Sequence, residues 1–405
     1  MAQSLRPDHE LELLAGGEQL FPALRAAIDA ARAEVMLETY IFDFSRSVIP
    51  VAEALERAAA RGVTVRVVVD GVGTGDIPPE WQQRWGAAGV RWRVFNPVRG
   101  WRLLMPRTWR RLHRKLCVVN GAVAFCGGIN LLDDYWDPNH GELTEPRLDF
   151  TVQVSGPLVA DVHDTMTRLW WRLQVARETR QRDFEGALRA VRAAARAGLD
   201  ESVGDSQLER GGAVAALVLR DNLRFRRRIE GTYRLAIAQT HSEVLIANAY
   251  FIPGVQLQRA LLRAARRGVK VTLLLQGRYE YFMAYHASRA VYDQLLQAGI
   301  RIVEYDASFL HAKVAVMDSA LGALATVGSS NLDPLSLLLA REANVFVRDE
   351  RFAAELRAHL QRALQQHGRV VDVQTHRARP LLTRAGNWIA YAVMRMALLA
   401  SGKKY

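Results

Sequence analysis

The sequence predicts an α/β fold, duplicated as two α/β/α lobes related by a pseudo-twofold axis, with an active site between the lobes. Two observations predict it: apolar strands alternate with helices rich in Ala, Leu and Arg, and the series of elements is repeated about 200 residues later. At 405 residues the chain is also longer than a single hydrophobic core usually becomes. A fused pair of similar units accounts for this length.

The elements follow in the same order in both copies. "IDAARAEVMLETYIF" (residues 28–42) and "IAQTHSEVLIANAYF" (237–251) each predict the end of a helix and then a strand. "VAEALERAAARGVTVRVVVDG" and "LQRALLRAARRGVKVTLLLQG" then predict a helix, a Gly cap and a second strand. "AAGVRWRVF" and "QAGIRIVEY" predict a third strand. Because apolar strands alternate with helices, we expect a mostly parallel sheet covered by helices.

The repeat divides the chain into four parts. We predict a first lobe at residues 1–176, a helical connector at 177–212, a second lobe at 213–372 and an amphipathic segment at 373–405. The connector is assigned as helical because it is rich in Arg, Ala and Glu and has no strand signal.

Composition narrows the class of partner and the compartment. The formal net charge of +12 favours an anionic partner, such as nucleic acid, a phospholipid surface or a phosphorylated substrate. The acidic start of the chain, with Asp8, Glu10 and Glu12, does not fit a signal peptide, and no apolar run is long enough for a spanning helix. Cys117 and Cys126 lie in apolar stretches without the spacing of metal ligands, so we expect a reducing cytoplasm and no structural zinc.

The strongest functional signal is a His-x-Lys pair that occurs once in each copy. The chain has only five lysines, and two of them follow a histidine in this way, as His113 with Lys115 and His311 with Lys313. Residues i and i+2 of a strand point to the same face, so each strand presents an imidazole beside an ammonium group. A single such pair would be a common surface feature, but two at equivalent places favour a shared catalytic cleft.

Two histidines and two lysines in one cleft suit a phosphodiester substrate. One His can attack phosphorus and form a phosphohistidine, while the other protonates the leaving alcohol. The lysines can neutralise the non-bridging oxygens, so no metal and no cofactor are expected. Downstream of each pair, a turn places an Asn after a Gly, and we predict that Asn130, Ser329 and Asn331 bind the phosphate. The alternative is a turn that merely requires Gly and Asn.

At this point the motifs resemble a known family. "HAKVAVMD" with "ATVGSSNLDPLS", together with "NAYFIPG" and "REANV", is similar to the phospholipase D superfamily, and to bacterial cardiolipin synthases of the B type, which lack N-terminal transmembrane helices. The resemblance extends from "GGEQLFPAL" to "REANVFV". It implies a bilobal fold and transfer of a phosphatidyl group from one phosphatidylglycerol, through His, to another.

The resemblance also assigns residue roles. It adds Asp318 to the catalytic group and makes Asp149 and Glu342 the carboxylates that orient the histidines. We pair Glu342 with His311 and Asp149 with His113; the alternative is that each carboxylate forms a surface salt bridge with a neighbouring arginine.

Three departures from the family pattern are visible. Position 120 is Asn where the family has Asp, but its strand parity relative to His113 indicates a bracing role rather than phosphate contact. Gly128 stands where the family has Ser, which leaves the first half poorer in phosphate donors. The interval between Asp318 and Gly328 is longer than usual and predicts a lengthened hairpin loop.

Two stretches predict contact with a lipid surface. Residues 98–115 interleave Arg with Trp and aliphatic residues, a composition that also suits nucleic-acid binding. In the C-terminal segment a narrow polar stripe of Arg384, Asn387, Tyr391 and Arg395 predicts a helix lying in the membrane plane, or else packing on its own domain. The predicted interface residues are Trp101, Trp109, Arg110, Arg111 and Trp388.

Together these observations predict a phosphatidyltransferase of the cardiolipin synthase type. We expect it to bind anionic phospholipid, namely phosphatidylglycerol and cardiolipin, at the cytoplasmic face of the cell membrane, without spanning it and without nucleic acid. The alternatives are a phospholipase D, or phosphodiesterase or nuclease, of the same superfamily and, in another class, a non-catalytic membrane or nucleic-acid binding module. The two complete His/Lys pairs argue against the last.

Overall fold

The computed structural model describes residues 5–97, 109–180, 212–221, 225–333 and 340–400. Its strands in the first half are β1 (Arg6–Ala15), β2 (Glu34–Thr39), β3 (Thr64–Asp70), β4 (Arg91–Phe95), β5 (Arg111–Leu112), β6 (Lys115–Val119), β7 (Val123–Gly127), β8 (Trp136–Asp137), β9 (Gly141–Glu142) and β10 (Phe150–Ser155). The helices of this half are α1 (Gly16–Asp29), α2 (Ile49–Ala60), α3 (Pro79–Ala88) and α4 (Leu158–Arg180).

The second half repeats this plan. Its strands are β11 (Ala213–Arg220), β12 (Thr240–Asn248), β13 (Lys270–Gln276), β14 (Arg301–Tyr305), β15 (Lys313–Ser319), β16 (Gly322–Gly328), β17 (Ala340–Arg348) and β18 (Gly368–Val370). Its helices are α5 (Arg228–Gln239), α6 (Val255–Arg266), α7 (Phe282–Arg289), α8 (Tyr292–Gln297), α9 (Glu350–Gln366), α10 (Val373–Arg377) and α11 (Leu381–Ala400). The predicted connector lies outside the described residues apart from 177–180, which end α4, and Gly212, so its helical character stays a prediction.

One sheet of sixteen strands runs through both halves. Its order is β18, β14, β13, β12, β15, β16, β17, β11, β1, β10, β7, β6, β2, β3, β4, with β5 paired to β17. Apart from β18 at one edge, the order on one side of the β11/β1 junction mirrors the order on the other. The antiparallel pairing of β1 with β11 joins the halves. The predicted duplicated α/β fold is therefore confirmed.

The prediction of a mostly parallel sheet was wrong. Among the described residues, the parallel neighbours joined through helices are the outer strands of each half, β2 with β3 and β4, and β12 with β13 and β14. The short strand β5 is also parallel to β17. The inner strands are mainly antiparallel, because hairpins such as β6 to β7 and β15 to β16 connect them directly. The helix-strand repeats dominated the sequence pattern, while the hairpins contribute short apolar runs that do not reveal direction.

The core has a shared layer and two separate layers. One cluster combines side chains from both halves, including Leu13 and Val152 of the first half with Leu217 and Val345 of the second. The other clusters each belong to one half and lie under α1 to α3 and under α5, α6 and α8. The shared layer fixes the strands of one half against those of the other, and this determines the geometry of the cleft.

The two hairpins that follow the His-x-Lys pairs differ at their tips. Asn120 and Gly121 both have positive φ, 53° and 64°, which a tight hairpin turn of this kind requires. The predicted lengthened loop in the second hairpin was wrong, since Ser319 pairs directly with Gly322 across a two-residue turn. The additional residues lengthen the paired strands instead, because their alternating pattern continues the ladder.

Candidate active site

The residue before each histidine is anchored in the same way, by a hydrogen bond from its backbone N–H to a side chain of the parallel sheet. His113 follows β5 and precedes β6, and the backbone N–H of Leu112 donates to the buried Asp70 carboxylate at 2.7 Å. In the second half the N–H of Leu310 donates to Gln276 Oε1 at 3.0 Å. Each acceptor residue is the last one of the middle parallel strand, so the sheet holds both histidines at its carboxyl edge.

Each histidine is held by a carboxylate from the opposite half. Nδ1 of His113 lies 3.1 Å from Glu342 Oε1, and Nδ1 of His311 lies 2.6 Å from Asp149 Oδ2. The pairing expected from the sequence, Glu342 with His311 and Asp149 with His113, was therefore wrong. That pairing placed each histidine with a carboxylate of its own half.

The backbone explains this exchange. The N–H of His113 donates to the carbonyl of Arg341 at 3.1 Å, and the N–H of His311 donates to the carbonyl of Leu148 at 3.0 Å. The residue before each carboxylate is thus bonded to the histidine of the other half, which brings the carboxylate to that ring. Both histidines depend on the interface between the halves.

The lysines lie beneath the histidines and are almost fully buried. Lys115 Nζ donates to the His113 carbonyl at 2.7 Å, and Lys313 Nζ donates to the carbonyl of His311. Burial lowers the pKa of Lys115 to about 7 and that of Lys313 to about 8, with the charge of Lys313 adding to the effect on Lys115. An anion in the cleft would favour the protonated form of both.

The two orienting carboxylates differ in their protonation. Burial would raise the pKa of Glu342, but the charge and hydrogen bond of His113, the charge of Lys115 and the bond from Ser329 together lower it. Burial raises the pKa of Asp149 to about 7, against the opposing charge of Lys313. The pKa of both histidines is lowered by burial, more strongly for His311. The pair of His113 and Glu342 therefore holds an ionised carboxylate, whereas the pair of His311 and Asp149 titrates near neutrality.

The turns after β7 and β16 surround these carboxylates with different groups. Ser329 Oγ donates to Glu342 Oε2 at 2.5 Å and accepts from the N–H of Ala343 at 3.1 Å. At the equivalent place, a Cβ on Gly128 would lie 2.3 Å from Asp149 Oδ1. The Asp149 carboxylate itself accepts from the next backbone N–H, that of Phe150, at 2.8 Å. Glycine at 128 is therefore required by the position of the shorter carboxylate.

The residues expected to bind phosphate lie in three different settings. Asn130 lines the cleft, and its Oδ1 accepts from the N–H of Ile41 at 3.3 Å. The hydroxyl of Ser329 is bonded to Glu342 in this structure. Asn331 is buried, and its Oδ1 has no hydrogen-bond partner among the described residues. Phosphate contact by these side chains stays a prediction.

The structure does not support the assignment of Asp318 to the catalytic group. Asp318 lies near the far end of β15, where its carboxylate forms an ion pair with Arg357 and accepts from Ser242 Oγ at 3.3 Å. It is five positions along the strand from Lys313, about 16 Å in an extended chain. At the equivalent end of β6, Asn120 Oδ1 accepts from the N–H of Ala33 at 2.9 Å and of Arg32 at 3.1 Å. Both positions brace the sheet.

A cavity of about 530 Å³ opens over the two histidines. Its walls include residues that the sequence analysis did not select, namely Tyr40, Arg147, Tyr250, Glu280 and Tyr281. The Tyr40 ring lies 5.0 Å from the His113 ring, and Tyr250 donates a hydrogen bond to Glu280. Tyr40 is the first residue after β2 and Tyr250 the second residue after β12, where side chains of a parallel sheet converge on a site, and this position was a signal that could have identified them.

The predicted interface residues are divided between the cavity and the surface. Trp109 and Arg111 line the cavity, Arg110 is exposed, and Trp101 lies outside the described residues. The polar stripe of α11 faces the protein at Asn387, which is buried and bonded to His286 of α7 at 2.7 Å, so this helix packs on its own domain, as one of the two readings of the sequence expected. The outward side chains of α11 are apolar: Trp388, Ile389, Val393 and Met396. Among the described residues, no helix has both the length and the apolar character needed to cross a membrane.

Comparisons with known proteins match both halves of the chain. The family described as cardiolipin synthase, PLD-like domain, matches residues 24–146 and 233–364, one match in each half. Cardiolipin synthase B of Escherichia coli K12 is 37% identical over 372 residues, which cover 89% of this chain and 81% of that protein. Cardiolipin synthase A of Pseudomonas putida is 30% identical over 390 residues, covering 95% of this chain and 74% of that protein.

A solved structure shows the same fold at low sequence identity. Phosphatidylserine synthase of Haemophilus influenzae superposes with a TM-score of 0.65 at 10% identity, covering 98% of this chain and 96% of the other.

The family match spans more than half of the chain and includes both His/Lys pairs. The chain therefore belongs to the cardiolipin synthase family of phospholipase D-like proteins.

Proposed function

We propose that this protein is a phosphatidyltransferase of the cardiolipin synthase type, with phosphatidylglycerol as donor and acceptor. The observation that supports this most directly is the pair of histidines facing one cavity, each held through Nδ1 by a carboxylate of the opposite half. This arrangement leaves Nε2 of each ring available to the cavity, so one ring can bond to phosphorus while the other moves a proton.

We assign His113 as the nucleophile. The ionised Glu342, supported by Ser329, holds the proton of His113 on Nδ1 and leaves a lone pair on Nε2. Nε2 attacks phosphorus and forms a P–N bond as the bond to the glycerol oxygen breaks. Glu342 then stabilises the positive charge that develops on the ring, as the carboxylate of a catalytic triad does.

His311 then acts as the acid and base. The pair of His311 and Asp149 can hold an additional proton near neutral pH, because burial raises the pKa of Asp149 to about 7. The leaving glycerol oxygen takes a proton from Nε2 of His311. The hydroxyl of a second phosphatidylglycerol then gives its proton back to His311 and attacks phosphorus, which breaks the P–N bond to His113. Lys115 and Lys313 neutralise the non-bridging oxygens in both steps.

We propose that the protein acts at a membrane surface without spanning it, on the cytoplasmic face expected from the sequence. The outward face of α11 is the main support: Trp388 is 54% and Ile389 63% exposed, and α11 packs on α7, next to which Tyr281 lines the cavity. A large exposed apolar patch beside a site for anionic lipid suits insertion into the headgroup region.

The membrane contact can be tested separately from catalysis. In a Trp388→Glu and Ile389→Glu double variant, we expect flotation with anionic liposomes to fall at least tenfold, while turnover of a soluble short-chain substrate stays within twofold. Leu321→Glu is a matched control, because Leu321 is 65% exposed on the β15 to β16 hairpin, outside the patch. Unchanged flotation in the double variant would reject the contact.

The transfer itself is tested by the identity of the product. Purified protein is incubated with labelled phosphatidylglycerol in vesicles, and the product lipid is identified by mass spectrometry, with and without EDTA. We expect cardiolipin and free glycerol, at the same rate with the chelator. Phosphatidic acid as the sole product would indicate a phospholipase D instead, and cleavage of nucleic acid with no lipid product would indicate a nuclease.

A further inference from the structure

One wall of the cavity carries a pair of polar groups that the transfer mechanism does not use. Glu280 and Tyr250 both line the cavity with His311, and the Tyr250 hydroxyl donates to Glu280 Oε2. Within the described residues no other hydrogen-bond donor contacts this carboxyl group. Glu280 Oε1 and the acceptor lone pairs of the Tyr250 oxygen are therefore available to a bound molecule.

The pair exists only in the second half. Counted from the ends of β12 and β13, Tyr250 and Glu280 correspond to Ile41 and Thr74 of the first half. Thr74 is used inside its own loop, where its hydroxyl donates to the Tyr40 carbonyl and accepts from the N–H of Phe42, both at 3.0 Å. The hydrogen-bonded pair of Tyr250 and Glu280 therefore has no counterpart at the equivalent place in the first half.

This wall cannot serve the phosphate, because a carboxyl group opposes an anion. In the proposed mechanism the phosphate lies with the two histidines and lysines, so the group that extends toward Glu280 is the alcohol bonded to phosphorus or about to attack it. Burial raises the pKa of Glu280 despite the nearby positive charges of Lys313 and Arg147, and the pKa of Tyr250 is also raised by burial. Both groups are thus suited to hydroxyls, as acceptor and donor, rather than to a second cation beside Lys313 and Arg147.

We propose that Tyr250 and Glu280 form a subsite for the hydroxyl groups of an uncharged polyol, the headgroup alcohol that leaves or accepts the phosphatidyl group. The inference rests on the proposed transfer function and names the alcohol it selects. One hydroxyl of the polyol reacts at phosphorus while a neighbouring hydroxyl donates to Glu280 Oε1. An alcohol with a single hydroxyl gains nothing from this wall, so the pair selects between alcohols without taking part in the chemical step.

The test uses a donor whose departure does not depend on this wall. A short-chain phosphatidyl ester of p-nitrophenol is offered to the full-length protein with glycerol, ethanol or ethanolamine as acceptor, and each product is quantified. The variants are Glu280→Thr, which installs the first-half residue, and Tyr250→Phe. Glu142→Gln is a charge-matched control, because the Glu142 side chain is 79% exposed and does not line the cavity.

We expect wild type to prefer glycerol and both variants to reduce the ratio of glycerol to ethanol product at least tenfold. The loss should appear as a higher KM for glycerol, with kcat for ethanol transfer within twofold and the control unchanged. An unchanged ratio in both variants, or an equal loss for every acceptor, overturns the inference, as does a wild-type preference for ethanolamine. A wild-type protein that transfers to no alcohol contradicts the proposed function itself, and this is seen before any variant is compared.

Discussion

The two halves of the molecule hold the same catalytic pair with different partners. In the second half, Ser329 bonds to Glu342 and also accepts from the next backbone N–H. In the first half, Gly128 leaves room for Asp149. The Asp149 carboxylate itself accepts from the equivalent N–H, that of Phe150. The shorter carboxylate and the absent side chain compensate for one another.

This comparison changes the meaning of the departures seen in the sequence. Gly128 alone reads as the loss of a phosphate donor, which would indicate a decaying first half. Together with Asp149, Gly128 is one of two matched differences from the second half. The hydrogen bond from the backbone N–H after the carboxylate is kept, whereas the pKa of the carboxylate differs between the halves. We infer that duplication allowed the two histidines to specialise, with His113 as nucleophile and His311 as acid and base.

The largest effect is expected at the histidines themselves. His113→Ala and His311→Ala should each reduce turnover of phosphatidylglycerol by about 10³-fold or more, because loss of a proton-transfer group alone costs roughly 10²- to 10⁴-fold. Circular dichroism and melting temperature should show a folded protein in both cases. A folded variant that keeps more than a tenth of the wild-type rate would contradict the mechanism with two histidines.

The matched pair of changes in the first half is tested by Gly128→Ser. The added Cβ would lie 2.3 Å from Asp149 Oδ1, so we expect displacement of that carboxylate and a loss of about 100-fold in kcat, reflecting the roughly 1–3 kcal/mol of a misplaced buried hydrogen bond. The double variant Gly128→Ser with Asp149→Glu copies the second half and should recover at least tenfold over the single variant. No recovery would show that the two residues are not coupled.

The pH dependence of kcat/KM tests the lysines shared by both halves. The pKa of Lys115 is lowered to about 7 and that of Lys313 to about 8, so both lose their charge as pH rises through this range. We expect kcat/KM, which reports the free enzyme, to fall about tenfold per pH unit between pH 7 and 8, where Lys115 loses its proton, and more steeply above pH 8, where Lys313 loses its proton as well. The fall in kcat should come at higher pH, because bound phosphate retains the protons. A kcat/KM that is constant from pH 7 to 9.5 would contradict the assignment.

The smallest effect is expected at Asn120. The side-chain oxygen braces the turn between α1 and β2 and lies at the far end of β6 from Lys115, so Asn120→Asp keeps the acceptor and leaves the site unchanged. We expect turnover within threefold and a stability change of about 0.5–1.5 kcal/mol, that of one hydrogen bond. A rise of 100-fold in turnover would show instead that position 120 limits the first half.

The sequence was sufficient to predict the duplicated fold, because the repeat is visible in the order of its elements. It was also sufficient to group the two His-x-Lys pairs, because residues i and i+2 of a strand share a face. It could not reveal which carboxylate meets which histidine. That pairing depends on backbone bonds between the halves, from His113 to Arg341 and from His311 to Leu148. A local pattern carries no information on such contacts.

The same limit explains the error at Asp318 and why the orientation of α11 could not be predicted. Asp318 belongs to the family motif, but its ion pair with Arg357 of α9 is formed only in the folded sheet. The stripe on α11 was correctly read as amphipathic, yet periodicity cannot tell which face packs on the protein. His286 of α7 supplies the polar partner for Asn387, so the apolar face points outward.

The central claim is that the two histidines have different roles, and the most direct measurement is the first turnover of each His variant with a substrate that needs no acid. A short-chain phosphatidyl ester of p-nitrophenol has a leaving group that departs without a proton. We predict that His311→Ala releases a burst of one equivalent of p-nitrophenol and accumulates a covalent adduct on His113, while His113→Ala releases none. A burst in His113→Ala, or its absence in a folded His311→Ala, would contradict the assignment.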